Sequence, residues 1–292
     1  MSDVELGERV VGGGVLGAIP QGGEGDLFEL ELYGGSIERR YRAMRPEIAA
    51  MPWGTLARAE MSHEARVMAQ RAWTGAAFQE HRTAVACAAT LRALLEARAP
   101  IDLVGVASRF PLDEMAHVEM CSRIAMELGG GTEIRYDPDE IVADAPADAP
   151  PLLRAAELVV RFFCVGEALS IPLLRGAARA ARHPLPKAVL TRIVKDEAAH
   201  GVFGFTFLDW LDPLVGEAER AHLGREADRA ILATKEQWRV IAEQPRPGEL
   251  GDALAWMQTD EYLEVARRSM TRFVVAPLRA RGIPVSAWDE PG

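Results

Sequence analysis

Asp113-Glu114-Met115-Ala116-His117 and Asp196-Glu197-Ala198-Ala199-His200 are two copies of one pattern, Asp-Glu-x-x-His. On a helix, the i, i+3 spacing puts Glu and His on one face, where both reach the same point in space. Each copy interrupts a stripe of apolar residues spaced by three and four, the buried face of an amphipathic helix. The first stripe runs Phe110, Glu114, His117, Cys121, Ile124, Leu128, and the second Val189, Ile193, Glu197, His200, Gly204, Phe207, Leu211. Two other segments carry such a stripe with a single interruption. One is Trp73, Ala77, Glu80, Ala84, Cys87, Leu91, Leu94, and the other Val160, Cys164, Glu167, Ile171, Leu174.

Four carboxylates and two imidazoles at one level of a helical core are costly unless cations compensate. Two divalent metals neutralise four carboxylates. The candidate ligands are Glu80, Glu114, His117, Glu167, Glu197 and His200, which would also be the catalytic set. A Glu from each of two helices and a Glu-x-x-His from each of the other two is the ligand arrangement of carboxylate-bridged two-metal bundles. The order Glu, Glu-x-x-His, Glu, Glu-x-x-His reads as a pseudo-repeat of helix pairs, which fits two metals about an approximate two-fold axis. Metal-bound histidines usually donate their other N–H to an acceptor. Asp113 is expected to accept from His200, and Asp196 from His117, crosswise; a solvent-facing Asp on each helix is the plainer alternative.

Glu-x-x-His alone is a weak signal in a Glu-rich chain. Glu60-x-x-His63 and Glu219-x-x-His222 also match. The first precedes the apolar stripe of its helix, and the second lies in an Arg/Glu-rich stretch, so both read as surface features. His81 and His183 are expected to be solvated or at helix ends.

Outward from these motifs, helices are expected over about 61–98, 101–128, 151–182 and 186–211, with two more near 215–243 and 251–280. Gly129-Gly130-Gly131 stops the second, and a polar connection fills 132–150. Residues 1–26 are Gly-rich loop, 26–33 an edge strand or a helix start, and 36–50 a helix broken at Pro46. No strand pattern follows residue 34. The fold expected is all-α: a four-helix bundle with extra C-terminal helices and a Gly-rich N-terminal extension. Residues 1–57 form that extension and 58–292 the helical domain, with a bundle core at 61–211 and additional helices at 215–280. Pro111 and Pro172 fall in helical segments near ligands, as breaks or as kinks that widen the bundle into a cavity. Phe162, Phe163, Phe203, Phe207 and Trp73 would line such a cavity or fill the core.

The formal net charge of -10 argues against nucleic acid or an anionic membrane as partner. No apolar run approaches the roughly 20 residues that span a bilayer. Three cysteines without a CxxC, and no basic stretch leading an apolar one at the N-terminus, fit a reducing cytoplasm. Cys87, Cys121 and Cys164 all lie on inward stripes. They read either as small buried hydrophobes or, for Cys121 and Cys164, as walls of a substrate pocket.

The Glu…DExxH…Glu…DExxH order resembles the ferritin-like di-iron-carboxylate superfamily over about residues 61–211. That superfamily includes ribonucleotide reductase radical subunits, multicomponent monooxygenases, ligand-binding oxidases and arylamine N-oxygenases. In spacing the chain looks most like the N-oxygenases and multicomponent monooxygenases. The resemblance implies that Glu114 and one further Glu bridge the metals. It also shows departures. The extra His of the N-oxygenases is Ile193 here, the radical Tyr of reductase subunits is Cys121, and the Thr of the monooxygenases is Ile171, with Ser170 beside it. A stored tyrosyl radical at position 121 is therefore excluded.

The function expected is that of a non-haem di-iron oxidase or oxygenase. It would use O2 to oxidise a small organic substrate by hydroxylation, N-oxygenation or desaturation. Two Fe ions are the expected cofactor, with Mn/Fe also compatible with the ligands. No flavin, haem or iron–sulfur motif is evident, so an external electron donor or reductase is implied. A bundle with extra helices is compatible with a homodimer. A ferroxidase or iron-handling protein, and a non-catalytic di-metal ligand-binding protein, are the alternatives.

Overall fold

The computed structural model describes residues 25–141, 145–146, 148–243 and 257–289. The protein is all-α. Strand β1 (Asp26–Leu27) is followed by α1 (Gly35–Ala43), α2 (Pro46–Ala49), α3 (His63–Glu96), α4 (Ile101–Ala107) and α5 (Phe110–Glu127). Then come strand β2 (Arg135–Tyr136), α6 (Pro138–Ile141) and α7 (Pro151–Leu158). A π-helical segment, Val159–Glu167, joins α7 to α8 (Ala168–Ala180). The chain continues through α9 (Pro184–Leu211), α10 (Glu217–Glu243) and α11 (Thr259–Ser269). A second π segment, Met270–Val275, leads into α12 (Ala276–Ala280).

Local chemistry sets the ends of the bundle helices. Ser62 caps α3, its Oγ accepting from the Ala65 N–H at 3.1 Å. Pro151 and Pro184 start α7 and α9, where a missing N–H costs nothing. Gly129 and Gly130, at φ 118° and 127°, end the chain's run beyond α5.

Several expectations are corrected. The segment 101–128 is two helices, because Pro111 sits in the first turn of α5 and the chain turns at Ser108–Arg109. Pro172, in contrast, lies inside α8, in a helix whose preceding turns are π-wound. A strand does follow residue 34: β2 pairs antiparallel with β1, Asp26 opposite Tyr136 and Leu27 opposite Arg135. Two residues are too few for a periodicity to register. Most of the Gly-rich stretch 1–26 and the start of the helix expected at 251 lie outside the described residues.

Helix α3 packs on α5 and α8 on α9, and α5 faces α9. The core divides into two apolar clusters. One gathers Trp73, Ala77, Cys121, Ile124, Leu174, Val189 and Ile193. The other gathers Cys87, Leu94, Phe110, Phe163, Cys164, Phe203 and Phe207. Helices α10 and α11 and the second π segment close the second cluster with Leu223, Ile231, Trp238, Leu263 and Met270. The N-terminal region shares the first, through buried Ile48 and Leu56 and through Phe28, whose ring lies 5.1 Å from that of Phe78.

Candidate metal centre

Each of the four core stripes passes from one apolar cluster to the other, and its polar residues fall at the crossing. Glu114, His117 and His200 are fully enclosed, and Glu80, Glu167 and Glu197 nearly so. Two donor groups form there. Glu80, Glu114, His117 and Glu197 are one, and Glu114, Glu167, Glu197 and His200 the other; within each, one atom per residue lies within 4.8 Å of the rest. All six residues singled out in the sequence come together.

Glu114 and Glu197 belong to both groups, and their atoms show how. The Nδ1 of His117 lies 3.3 Å from Glu114 Oε2 and 3.4 Å from Glu197 Oε1. The Nδ1 of His200 lies 3.0 Å from Glu114 Oε1 and 3.0 Å from Glu197 Oε2. Each of these carboxylates thus offers one oxygen to each half. Glu80 Oε2 adds to the His117 half, 3.6 Å from Nδ1. Glu167 joins the other half, with Ser170 Oγ 3.5 Å from its Oε2 and donating to its backbone carbonyl at 3.0 Å.

Without a metal, the six side chains balance their charge by sharing protons among themselves. Burial lifts the Glu80 carboxyl to about 8, with help from the charges of Glu114 and Glu197. Burial and the same two neighbours push Glu167 well above the usual range. Burial opposes ionisation of Glu197, yet His200 and His117 hold it well below the ordinary value, and Glu114 is lowered by the same histidines against the same burial. Both imidazoles, despite burial, are held protonated by the surrounding carboxylates. Glu80 Oε1 is buried without a hydrogen bond, and His200 Nδ1 lies 3.0 Å from Glu114 Oε1 and Glu197 Oε2 without hydrogen-bonding geometry to either. Buried groups left so are rare. Two divalent cations fit this donor set, since four carboxylates and two neutral imidazoles then sum to zero charge. Carboxylate and imidazole donors suit iron and manganese.

Both histidines present Nδ1 to the carboxylates and turn Nε2 outward. His117 Nε2 lies 3.5 Å from Asp196 Oδ2, and His200 Nε2 lies 3.6 Å from Asp113 Oδ2, a crosswise pairing between α5 and α9. Three arginines, not anticipated from the sequence, meet these aspartates. Arg109 reaches both, Arg192 reaches Asp196, and Arg45 reaches Asp113. The signal was present: Arg109 and Arg192 each stand four residues before their Asp, so the repeat is Arg-x-x-x-Asp-Glu-x-x-His.

Two close approaches fix the Glu167 half. A Cβ on Gly204 would lie 2.8 Å from Cys164 Sγ and 2.9 Å from Cys164 N, so α9 and the π segment touch backbone to backbone. The Phe110 ring lies tilted against the His200 ring, centroids 4.2 Å apart, and packs with Phe163 and Phe203 at 5.4 and 5.2 Å. Phe163, Phe203, Phe207 and Trp73 are core residues. Of the thiols, Cys121 lies near Glu80 and His117, while Cys164 packs against Gly204 in the apolar cluster. Cys87 is the thiol near Glu114, Glu167 and Glu197; burial and those charges push it well up. Burial raises all three thiols, so they stay protonated rather than acting as thiolate ligands. A cavity of about 610 Å³ opens elsewhere, between the start of α10 and the C-terminal segment, lined by Val215, Arg220, Arg279 and Ile283.

The other histidines separate clearly. Glu60 and His63 are exposed. His183 caps α9, its Nδ1 accepting from the Leu185 N–H at 3.2 Å. His81 is not solvated but half-buried beside Phe28, and burial lowers its pKa. His222 also departs from the surface reading. It leaves exposed Glu219 aside and places Nε2 2.7 Å from buried Glu157, with Glu226 at 3.9 Å. This third donor group has Arg229 on Glu226 and Arg225 3.4 Å from His222 Nδ1, so its charges are balanced within the protein. Among the described residues no helix is long and apolar enough to cross a membrane. No protein-family model matches the chain, and no curated protein matches it, so the buried carboxylate–histidine cluster itself is what ties this helical protein to metal chemistry.

Proposed function

We propose that the protein is a non-haem di-iron oxidase that activates O2 to oxidise a small organic substrate. The observation that carries the reading is the division of Glu114 and Glu197, one oxygen of each to His117 and the other to His200. Two carboxylates shared between two otherwise separate ligand sets is the arrangement of a bridged pair, and a single ion needs no such sharing. The order of the ligands along the chain and the helical bundle support membership of the ferritin-like di-iron superfamily.

In this reading Glu80 and His117 complete one position, and Glu167 and His200 the other. Two Fe(II) ions bound there supply electrons and open coordination positions for reaction with O2. The residues of the chain do the remainder. Asp113 and Asp196 orient the imidazoles. The two apolar clusters exclude water from both ends of the site. Phe110, Phe163 and Cys87 present an apolar wall on the Glu167 side, which favours an apolar substrate group there. Ser170 is placed to carry a proton at Glu167 Oε2. An external reductase returns the electrons.

The test is an anaerobic Fe(II) titration followed by mixing with O2 while the visible spectrum is recorded. Two irons per chain and a transient O2-dependent absorption are expected. Two irons oxidised and then released to mineral in a large assembly would make this an iron-handling protein instead. No saturable iron uptake would overturn the reading.

A further inference from the structure

Arg109 is the one described side chain that touches both aspartates behind the ligand histidines. Its Nε lies 2.8 Å from Asp113 Oδ2, and its Nη2 lies 3.2 Å from Asp196 Oδ1. Asp113 stands behind His200 and Asp196 behind His117, so this guanidinium joins the two halves outside the shared carboxylates. The other two arginines act on one half each. Arg192 clamps Asp196 through Nε at 2.8 Å and Nη2 at 2.7 Å, and its Nη1 reaches Glu47 at 2.8 Å. Arg45 meets Asp113 alone.

We infer that Arg109 is a positioning residue that links the two metal positions, whereas Arg192 serves only the His117 position and Arg45 only the His200 position. The inference rests on the two-metal reading above. The physical basis is the planar fork of arginine, whose several donors engage two carboxylates at once in fixed geometry. Asp113 is fully buried and Asp196 nearly so, and each needs a cationic partner to remain an acceptor. With both held, each imidazole keeps Nε2 turned to its Asp and Nδ1 turned to the carboxylates. Loss of Arg109 leaves Asp113 to Arg45 and Asp196 to Arg192, so both imidazoles lose their one shared anchor together. Loss of Arg192 still leaves Asp113 paired with Arg45 and Arg109.

The test uses anaerobic Co(II) binding to the full chain, followed by calorimetry and by visible absorption. Arg109→Gln should weaken both binding steps about tenfold, the lower end of what partners behind a ligand contribute. The halves are resolved in an E80Q background, which disables the His117 position. There, R109Q should still weaken the remaining site about tenfold, while R192Q should leave it within roughly twofold. Equal weakening of that site by R192Q, or no effect of R109Q, overturns the inference while leaving the two-metal reading intact. No saturable Co(II) on the unmodified chain overturns both. If R109Q does not fold, R109K is read in its place: it keeps the charge without the fork, and unchanged affinities would again overturn the inference.

Discussion

His117 points Nε2 at Asp196, 3.5 Å away on the opposite helix, while its Nδ1 faces three carboxylates. The imidazole therefore bridges an outer layer of Asp and Arg and an inner layer of Glu. His200 repeats the relationship with Asp113. Consequences for metal binding, pH and stability follow from this layering.

Glu114 is shared by both donor groups, so Glu114→Ala should abolish binding at both positions rather than at one. The fold should persist, because removing a buried carboxylate also removes its desolvation penalty. Metal content per chain and far-UV circular dichroism check this together; two metals retained in the variant would sink the assignment.

The metal-free and metal-bound proteins should respond to pH in opposite directions. Glu80 is raised from 4.5 to about 8 in the folded, metal-free chain. A raised carboxyl binds more protons folded than unfolded, so its contribution is full below pH 4.5 and is lost as pH climbs through 8. Glu167, His117 and His200 are raised as well and act in the same sense. Metal binding requires those protons to leave, so affinity should rise over the same window. Melting temperatures between pH 5 and 8, with and without saturating metal, should diverge. Parallel curves would show that these groups do not bind metal.

Gly204→Ala inserts a Cβ where Cys164 and Phe163 leave no room. Overpacking of this kind costs about 1–3 kcal/mol, and relief requires α9 to separate from the π segment. That separation carries Glu167 away from Glu197. Urea unfolding should show the destabilisation, and metal titration should show a selective loss at the Glu167–His200 position.

His222→Ala leaves Glu157 buried without its partner and should cost about 1.5–3 kcal/mol, typical of a hydrogen bond to a charged group. Metal content should be unchanged. His63→Ala, at an exposed helix start, should change neither. Loss of metal in either variant would point to a different ligand set.

The sequence by itself determined the helices and the level of the site. Polar residues appear in four apolar stripes at one position each, and burial makes such interruptions too costly to be accidental. The i, i+3 spacing is local, so the Glu-x-x-His faces and the apolar flanks of residues 61–211 were legible without tertiary information. The two spurious matches were separated by their surroundings in part only. Glu60-x-x-His63 is exposed, but His222 found a buried partner, Glu157, from a helix distant in sequence. Only the tertiary structure decided what depends on long-range approach. It divided Glu114 and Glu197 between two histidines and brought Arg45 from the N-terminal segment onto Asp113. It also placed Cys87, rather than Cys164, beside the Glu167 carboxylate. Nor could periodicity announce a strand of two residues or a π-wound turn, because each is fixed by the elements packed against it rather than by its own side-chain pattern.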